Sequence, residues 1–139
     1  MLKKLLNMWD KKVHVKSSLE PKFGQHALFI GRWQPLHLGH QEMFKQAINE
    51  GKNVLIAIRD IKPDEKNPFT PEQVKQNIEE FYKDLISEEM IKVIIIPDIC
   101  SIEFGRGVGY DIIERIPPQE IHDISATKIR EQMKKEGKL

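Results

Sequence analysis

Gly31-Arg32-Trp33-Gln34-Pro35-Leu36-His37-Leu38-Gly39-His40 is the stretch whose reading decides the fold. Ala27-Leu28-Phe29-Ile30 precedes it, an apolar run of strand length. Met43, Phe44, Ala47 and Ile48 follow it at the spacing of one helix face. The ten residues therefore form a strand-to-helix turn. Backbone N–H groups and the positive end of a helix dipole meet at such a turn. A glycine, an arginine and two histidines placed there read as a site for phosphate.

A second segment points the same way. Ile124-Ser125-Ala126-Thr127-Lys128-Ile129-Arg130 opens the last expected helix, with Ser125 as its N-cap. Lys128 and Arg130 lie near the positive end of that helix, with no acid before Glu131. Cations there oppose the dipole at a cost of roughly 0.3–1 kcal/mol each. A bound polyanion reverses that sign; a solvated basic helix is the plainer reading of this segment alone.

Between these segments strands and helices alternate. A first helix is expected from about Gly39 to Glu50, stopped by Gly51. Asn53 to Arg59 reads as a second buried strand, followed by a polar loop from Asp60 to Phe69. Thr70-Pro71-Glu72-Gln73 carries the signature of a capped helix start, and the helix runs to about Ile86. Lys92 to Pro97 reads as a third strand, Ile102 to Phe104 as a short fourth and Asp111 to Ile116 as a fifth. Apolar strands alternating with helices predict an α/β fold, a Rossmann-like doubly wound parallel sheet.

Residues 1–25 differ from the remainder. Six lysines stand against Asp10 and Glu20, a local charge of +4. Leu2, Leu5, Leu6, Trp9 and Val13 recur at helical spacing before Pro21 and Gly24 interrupt the chain. We expect a basic amphipathic extension over 1–25, folded back on the domain or set against a second subunit, and a single domain over 26–139. Docking to a partner or to a membrane surface is the sharper alternative, and a homodimer is left open.

The whole chain of 139 residues holds 22 Lys plus Arg against 21 Asp plus Glu. A charge of +1 does not suggest a protein dedicated to nucleic acid. One cysteine, Cys100, excludes an internal disulfide and suits a reducing compartment. There is no run long enough for a membrane span and no cleavable signal pattern, so a cytoplasmic protein is expected.

His37-Leu38-Gly39-His40 and Ile124-Ser125-Ala126-Thr127 together resemble the nucleotidylyltransferase superfamily, its cytidylyltransferase-like group. That group carries a histidine–x–glycine–histidine motif after its first strand and an Ile-Ser-x-Thr motif at a late helix. The resemblance spans about Ala27 to Glu136. It implies strand order 3-2-1-4-5, with the ligand crevice between the first and fourth strands. There the loop with Gly105, Arg106, Gly107 and Gly109 would face the histidine turn.

The resemblance also implies a reaction. An acceptor phosphate oxygen attacks the α-phosphorus of a nucleoside triphosphate, CTP or ATP, and pyrophosphate leaves. His37 and His40 would then stabilise the transition state at the α-phosphate. The backbone of Gly31, Arg32, Trp33, Gln34 and Pro35 would wrap the phosphates, and Gly39 would admit the nucleotide to the first helix. Ser125 and Thr127 would bind the β- and γ-phosphates, and Lys128 or Arg130 would neutralise the pyrophosphate. Mg²⁺ is expected on the phosphates, since no acidic cluster here would hold it alone. A structural cap or a zinc pair is the competing reading of the histidines, but further zinc ligands are not evident. Arg59 is expected either in the crevice or in a surface ion pair.

Two features pull the branch in different directions. Gly31 to Pro35, and Asn67-Pro68-Phe69-Thr70, are closer to the nicotinamide mononucleotide adenylyltransferases. Ser125 to Ile129 is closer to the cytidylyltransferases. The expected partners are a nucleoside triphosphate and a phosphorylated small-molecule acceptor. A nucleotide sensor or an accessory domain without catalysis is the alternative.

Overall fold

The computed structural model describes residues 25–106, 109, 111–117 and 126–138. The N-terminal extension and Ser125 lie outside those residues. The elements run β1 (His26–Gly31), α1 (Leu38–Asn49), β2 (Asn53–Asp60), α2 (Pro71–Phe81), α3 (Lys83–Ser87), β3 (Ile91–Pro97) and α4 (Ala126–Lys135).

Three parallel strands lie in the order β1-β2-β3, which is α/β architecture. Parallel neighbours need crossover connections, and α1 and the α2–α3 pair supply them. Phe29, Val54, Ile56, Ile58, Ile91, Val93 and Ile95 alternate onto one face of the sheet. Phe44, Ala47 and Ile48 of α1 and Val74 and Ile78 of α2 close over that face as one core cluster with Tyr82 and Leu85. Phe44 is the centre of its aromatic contacts, edge-on to Phe29 at 5.0 Å and to Tyr82 at 6.1 Å.

The helix punctuation follows the local chemistry. Thr70 Oγ1 accepts from Gln73 N at 3.1 Å, and Gln73 Oε1 accepts from Thr70 N at 2.8 Å, a complete capping box. Gly51 takes φ 84° after α1, the left-handed stop that glycine favours. The helix expected to run unbroken to Ile86 is divided at Tyr82, whose ψ of 25° leaves the helical range.

Two expected strands are corrected. Ile102 to Phe104 and Asp111 to Ile116 carry no strand, and the described sheet stops at three. Ile102, Phe104, Ile112, Ile113 and Ile116 are all exposed. An apolar run becomes a strand only when a ladder partner and a covering layer take up its backbone and its side chains. Among the described residues these runs have neither, so the sheet described there has the order 3-2-1 without strands at these two runs.

The turn after β1 is fixed from three sides. Trp33 holds φ 53°, a conformation rare for a bulky residue. Its indole is buried, and Nε1 donates to the Ala57 carbonyl of β2 at 3.0 Å. The Gln34 side chain clamps the Phe69 backbone, donating to its carbonyl at 2.9 Å and accepting from its N–H at 3.0 Å. Arg130 Nη1 of α4 donates to the Gln34 carbonyl at 2.6 Å. The Gln34–Pro35 peptide is cis.

Gly31 makes room for this arrangement. A Cβ there would lie 2.9 Å from Trp33 Cε2 and 3.0 Å from Cζ2, with the rigid indole held in the core. Gly31→Ala is expected to lower stability by about 1–3 kcal/mol, as overpacking does. Urea denaturation of the two proteins checks it; an unchanged midpoint would show that the indole can move aside.

Candidate functional site

The two motif histidines build the start of α1 before they do anything else. His37 is the N-cap, with an extended backbone, and its Nδ1 accepts from Gly39 N at 3.1 Å. His40, three residues on, accepts from His37 N at its own Nδ1 at 3.2 Å. This is a capping box made by imidazoles instead of Ser and Glu. The rings stack 3.6 Å apart with planes 20° from parallel, and Trp33 stands edge-on to His40 at 4.8 Å.

That hydrogen bonding fixes the protons. Each Nδ1 is an acceptor, so each neutral ring carries its hydrogen on Nε2. Burial lowers the His37 pKa to about 4. Burial, then the charge of His37, lowers that of His40 to about 3. At neutral pH the pair is uncharged, and its remaining donors are the two Nε2–H groups.

His40 lines a cavity of about 360 Å³ together with Arg32, Trp33, Gln34, Lys66, Asn67, Thr127 and Arg130. Three cations meet around it. The Arg130 guanidinium is held below its ordinary pKa by burial and by the nearby charge of Arg32, with Asp64 opposing that shift. Asp64 is tied up by its own loop. Its Oδ1 accepts from Asn67 N at 2.7 Å, Lys66 N at 2.8 Å and Asn67 Nδ2 at 3.1 Å. Those bonds, the backbone N–H of Asn67 first, hold its carboxyl below the usual range. The cavity lining thus combines neutral and cationic donors without a carboxylate, and it suits an anion rich in oxygen.

The structure brings together most residues of the first motif. Arg32, Trp33, Gln34 and His40 line the cavity, and His37 stacks directly behind His40. Gly39 is buried in the first turn of α1. From the last helix, Thr127 and Arg130 reach the cavity on one face of α4, with Arg130 Nη2 donating to Thr127 Oγ1 at 3.3 Å. Lys128 is exposed and is not among the lining residues; nor are Gly31, Pro35 or the exposed Arg106. Arg59 forms an ion pair with Asp98, and its Nε donates to Oδ1 at 2.8 Å, so it closes the exit of β2 against that of β3.

Lys66 is the lining residue that the sequence did not single out. Asn67 was visible only as part of a turn-like tetrapeptide. The signal that could have found both is the Asp64 to Asn67 spacing, where an aspartate can accept from backbone N–H groups two and three residues on. Among the described residues, no three His, Cys, Asp or Glu side chains converge on a metal position. No helix among them is long and apolar enough to cross a membrane.

Relatives share parts of this sequence. A nicotinamide-nucleotide adenylyltransferase from Archaeoglobus fulgidus is 29% identical over 79 residues, 52% of this chain and 45% of the relative. A nicotinamide/nicotinic acid mononucleotide adenylyltransferase from Acinetobacter baylyi is 34% identical over 55 residues, 38% of this chain and 29% of the relative. A nicotinamide-nucleotide adenylyltransferase from Methanococcus aeolicus is 44% identical over 46 residues, 32% of this chain and 27% of the relative. The chain therefore spans less than half the length of the curated relatives it matches. The cytidylyltransferase-like family model matches residues 28–132, which takes in the sheet, the histidine turn and the start of α4. With its histidine-capped helix, its parallel sheet and that match over most of its length, this chain belongs to the cytidylyltransferase-like family.

Proposed function

We propose that this chain is a nucleotidylyltransferase that moves an adenylyl group from ATP to a phosphate monoester acceptor of mononucleotide type, releasing pyrophosphate. The observation that carries the reading is the stacked, neutral histidine pair set against a cavity with three cations. ATP is preferred over CTP because the three relatives are named as adenylyltransferases.

An ionised phosphate oxygen of the acceptor attacks the α-phosphorus. The bond from that phosphorus to the bridging oxygen breaks, and the electron pair leaves with pyrophosphate. An ionised nucleophile needs no strong general base, so the work lies in alignment and in stabilising oxygen charge. The Nε2–H of His40, which lines the cavity, serves as a donor to the α-phosphate oxygens, with His37 stacked behind it. Arg32, Lys66 and Arg130 offset the charge of the β- and γ-phosphates, and Thr127 adds a hydroxyl. Mg²⁺ travels on the triphosphate, since no three His, Cys, Asp or Glu side chains among the described residues converge on a metal position.

A pyrophosphate-release screen tests the reading, with ATP and CTP each crossed with nicotinamide mononucleotide and other phosphorylated acceptors. Release with ATP and a mononucleotide is expected. Tight nucleotide binding without release from any pair would make the chain a binding module.

Removing one donor should act on turnover. His40→Ala is expected to lower kcat by about 10²–10³, or roughly 2.7–4 kcal/mol, by analogy with loss of one oxyanion donor. ATP affinity should change much less. Because His40 also caps α1, His40→Asn, which can still accept from His37 N, separates chemistry from folding. Near-normal turnover in either folded variant would remove His40 from the mechanism.

The cations on α4 provide an internal comparison. Arg130→Gln should weaken ATP binding at least tenfold, as loss of a charged hydrogen bond does, and AMP binding less. Lys134→Gln with Lys135→Gln should leave both nearly unchanged, because both lysines lie at the far end of the helix. Titration by calorimetry reads all four affinities, and equal losses would mean a general charge effect.

The buried imidazoles also set a pH dependence. Their folded pKa values of about 4 and 3 lie below the 6.5 of the unfolded chain. The unfolded state therefore binds more protons between those limits, and stability rises with pH across that window and levels off above it. Denaturation at pH 5 and pH 7.5 should show the unliganded protein weaker at pH 5. His37→Asn with His40→Asn should remove much of that difference, and an undiminished slope would place its origin elsewhere.

A further inference from the structure

Helices α1 and α2 close one face of the sheet; on the other, among the described residues, Leu28 and Ile94 stay exposed at the flanks while Ala57 between them on β2 is buried. Register sets Leu28, Leu55 and Lys92 in a row across the other face, with Ile30, Ala57 and Ile94 in the next row. Leu28 is 56% exposed and Ile94 39%. Parallel sheets bury both faces, and these strands carry apolar residues at both alternations, as such sheets do. Leu28 and Ile94 nevertheless keep apolar surface in water. The apolar residues of the chain after β3, Ile102, Phe104, Ile112, Ile113 and Ile116, are themselves exposed.

The sequence contains a segment suited to this face. Residues 1–24 immediately precede β1, and the chain enters the sheet at His26, two residues from Leu28. On a helix, Leu2, Leu5, Leu6, Trp9 and Val13 form one stripe, and Lys4 and Lys11 fall on the opposite side. A helix over 2–13 would be about 18 Å long, close to the roughly 20 Å of strands of this kind. The tether over 14–25 can extend to about 40 Å, so its length does not restrict docking. Joined directly to the face it would cover, the stripe acts at an effective concentration near millimolar, an advantage that a second copy lacks.

We infer that the apolar stripe of residues 2–13 docks across Leu28, Leu55 and Ile94 and forms the missing layer on the open face of the sheet. The lysines stay in water, and the buried contact is made by leucines, valine and Trp9. The cover lies on the sheet itself, away from the residues that line the cavity.

The test uses the full chain with 5-fluorotryptophan, whose two fluorine resonances are assigned with Trp9→Phe. At low micromolar concentration the Trp9 resonance should resist broadening by a soluble gadolinium chelate. Leu28→Asp should abolish that protection and lower the thermal midpoint, although an aspartate at a solvated site would leave it nearly unchanged. Leu6→Asp, which lies outside the sheet, should also expose Trp9 and keeps the test valid if Leu28→Asp does not fold. Three results would overturn the inference: Trp9 accessible in the wild type, protection that appears only as concentration and mass rise together, or protection that appears only with phosphatidylserine vesicles. The second would assign the stripe to another copy of the chain and the third to a membrane surface.

Discussion

The structure depends on the hold that β2 has on Trp33. A bulky residue at positive φ is unfavourable by roughly 1–3 kcal/mol, and it persists only where its surroundings over-determine it. Here the indole is buried against Phe44 and His40, and its N–H is satisfied by a strand carbonyl. With Trp33 fixed, the next residue can turn its carbonyl to Arg130 and its amide to Phe69. One turn thereby joins the central strand, the loop that bears Lys66 and Asn67, and the last helix. Elements up to 96 residues apart in sequence meet at Gln34.

The histidine pair shows how folding and chemistry share the same atoms. A helix start leaves N–H groups without intrahelical partners, and here imidazole Nδ1 atoms take two of them. That use commits each ring to one tautomer and leaves Nε2–H as the donor. Burial then keeps the rings neutral, so the histidines do not add to the repulsion between Arg32 and Arg130. A polyanion entering the cavity would relieve that repulsion.

Much of this was legible in the residues. The capping box at Thr70, the stop at Gly51 and the three apolar strands rest on local rules, and each formed as its sequence pattern requires. The first motif marked a strand-to-helix turn, and its histidines cap the helix that follows. Local patterning failed for Ile102 to Phe104 and Asp111 to Ile116. Apolar content there satisfies a strand's composition, but a strand also needs a hydrogen-bonded neighbour, which sequence spacing does not reveal.

By itself, then, the sequence determined the first three strands, the helix caps and stops, and membership of the cytidylyltransferase-like family. Its signals are short-range, and they survive because caps, glycine stops and hydrophobic periods act within a few residues. Only the tertiary structure decided which charges face one another. It sent Arg130 into the cavity and left Lys128 at the surface, and it paired Arg59 with Asp98 instead of a ligand. It also brought in Lys66, and it lowered the histidine pKa values by burying them. Charge pairing and desolvation depend on distances across the fold, and those distances exist only once the chain has closed on Trp33.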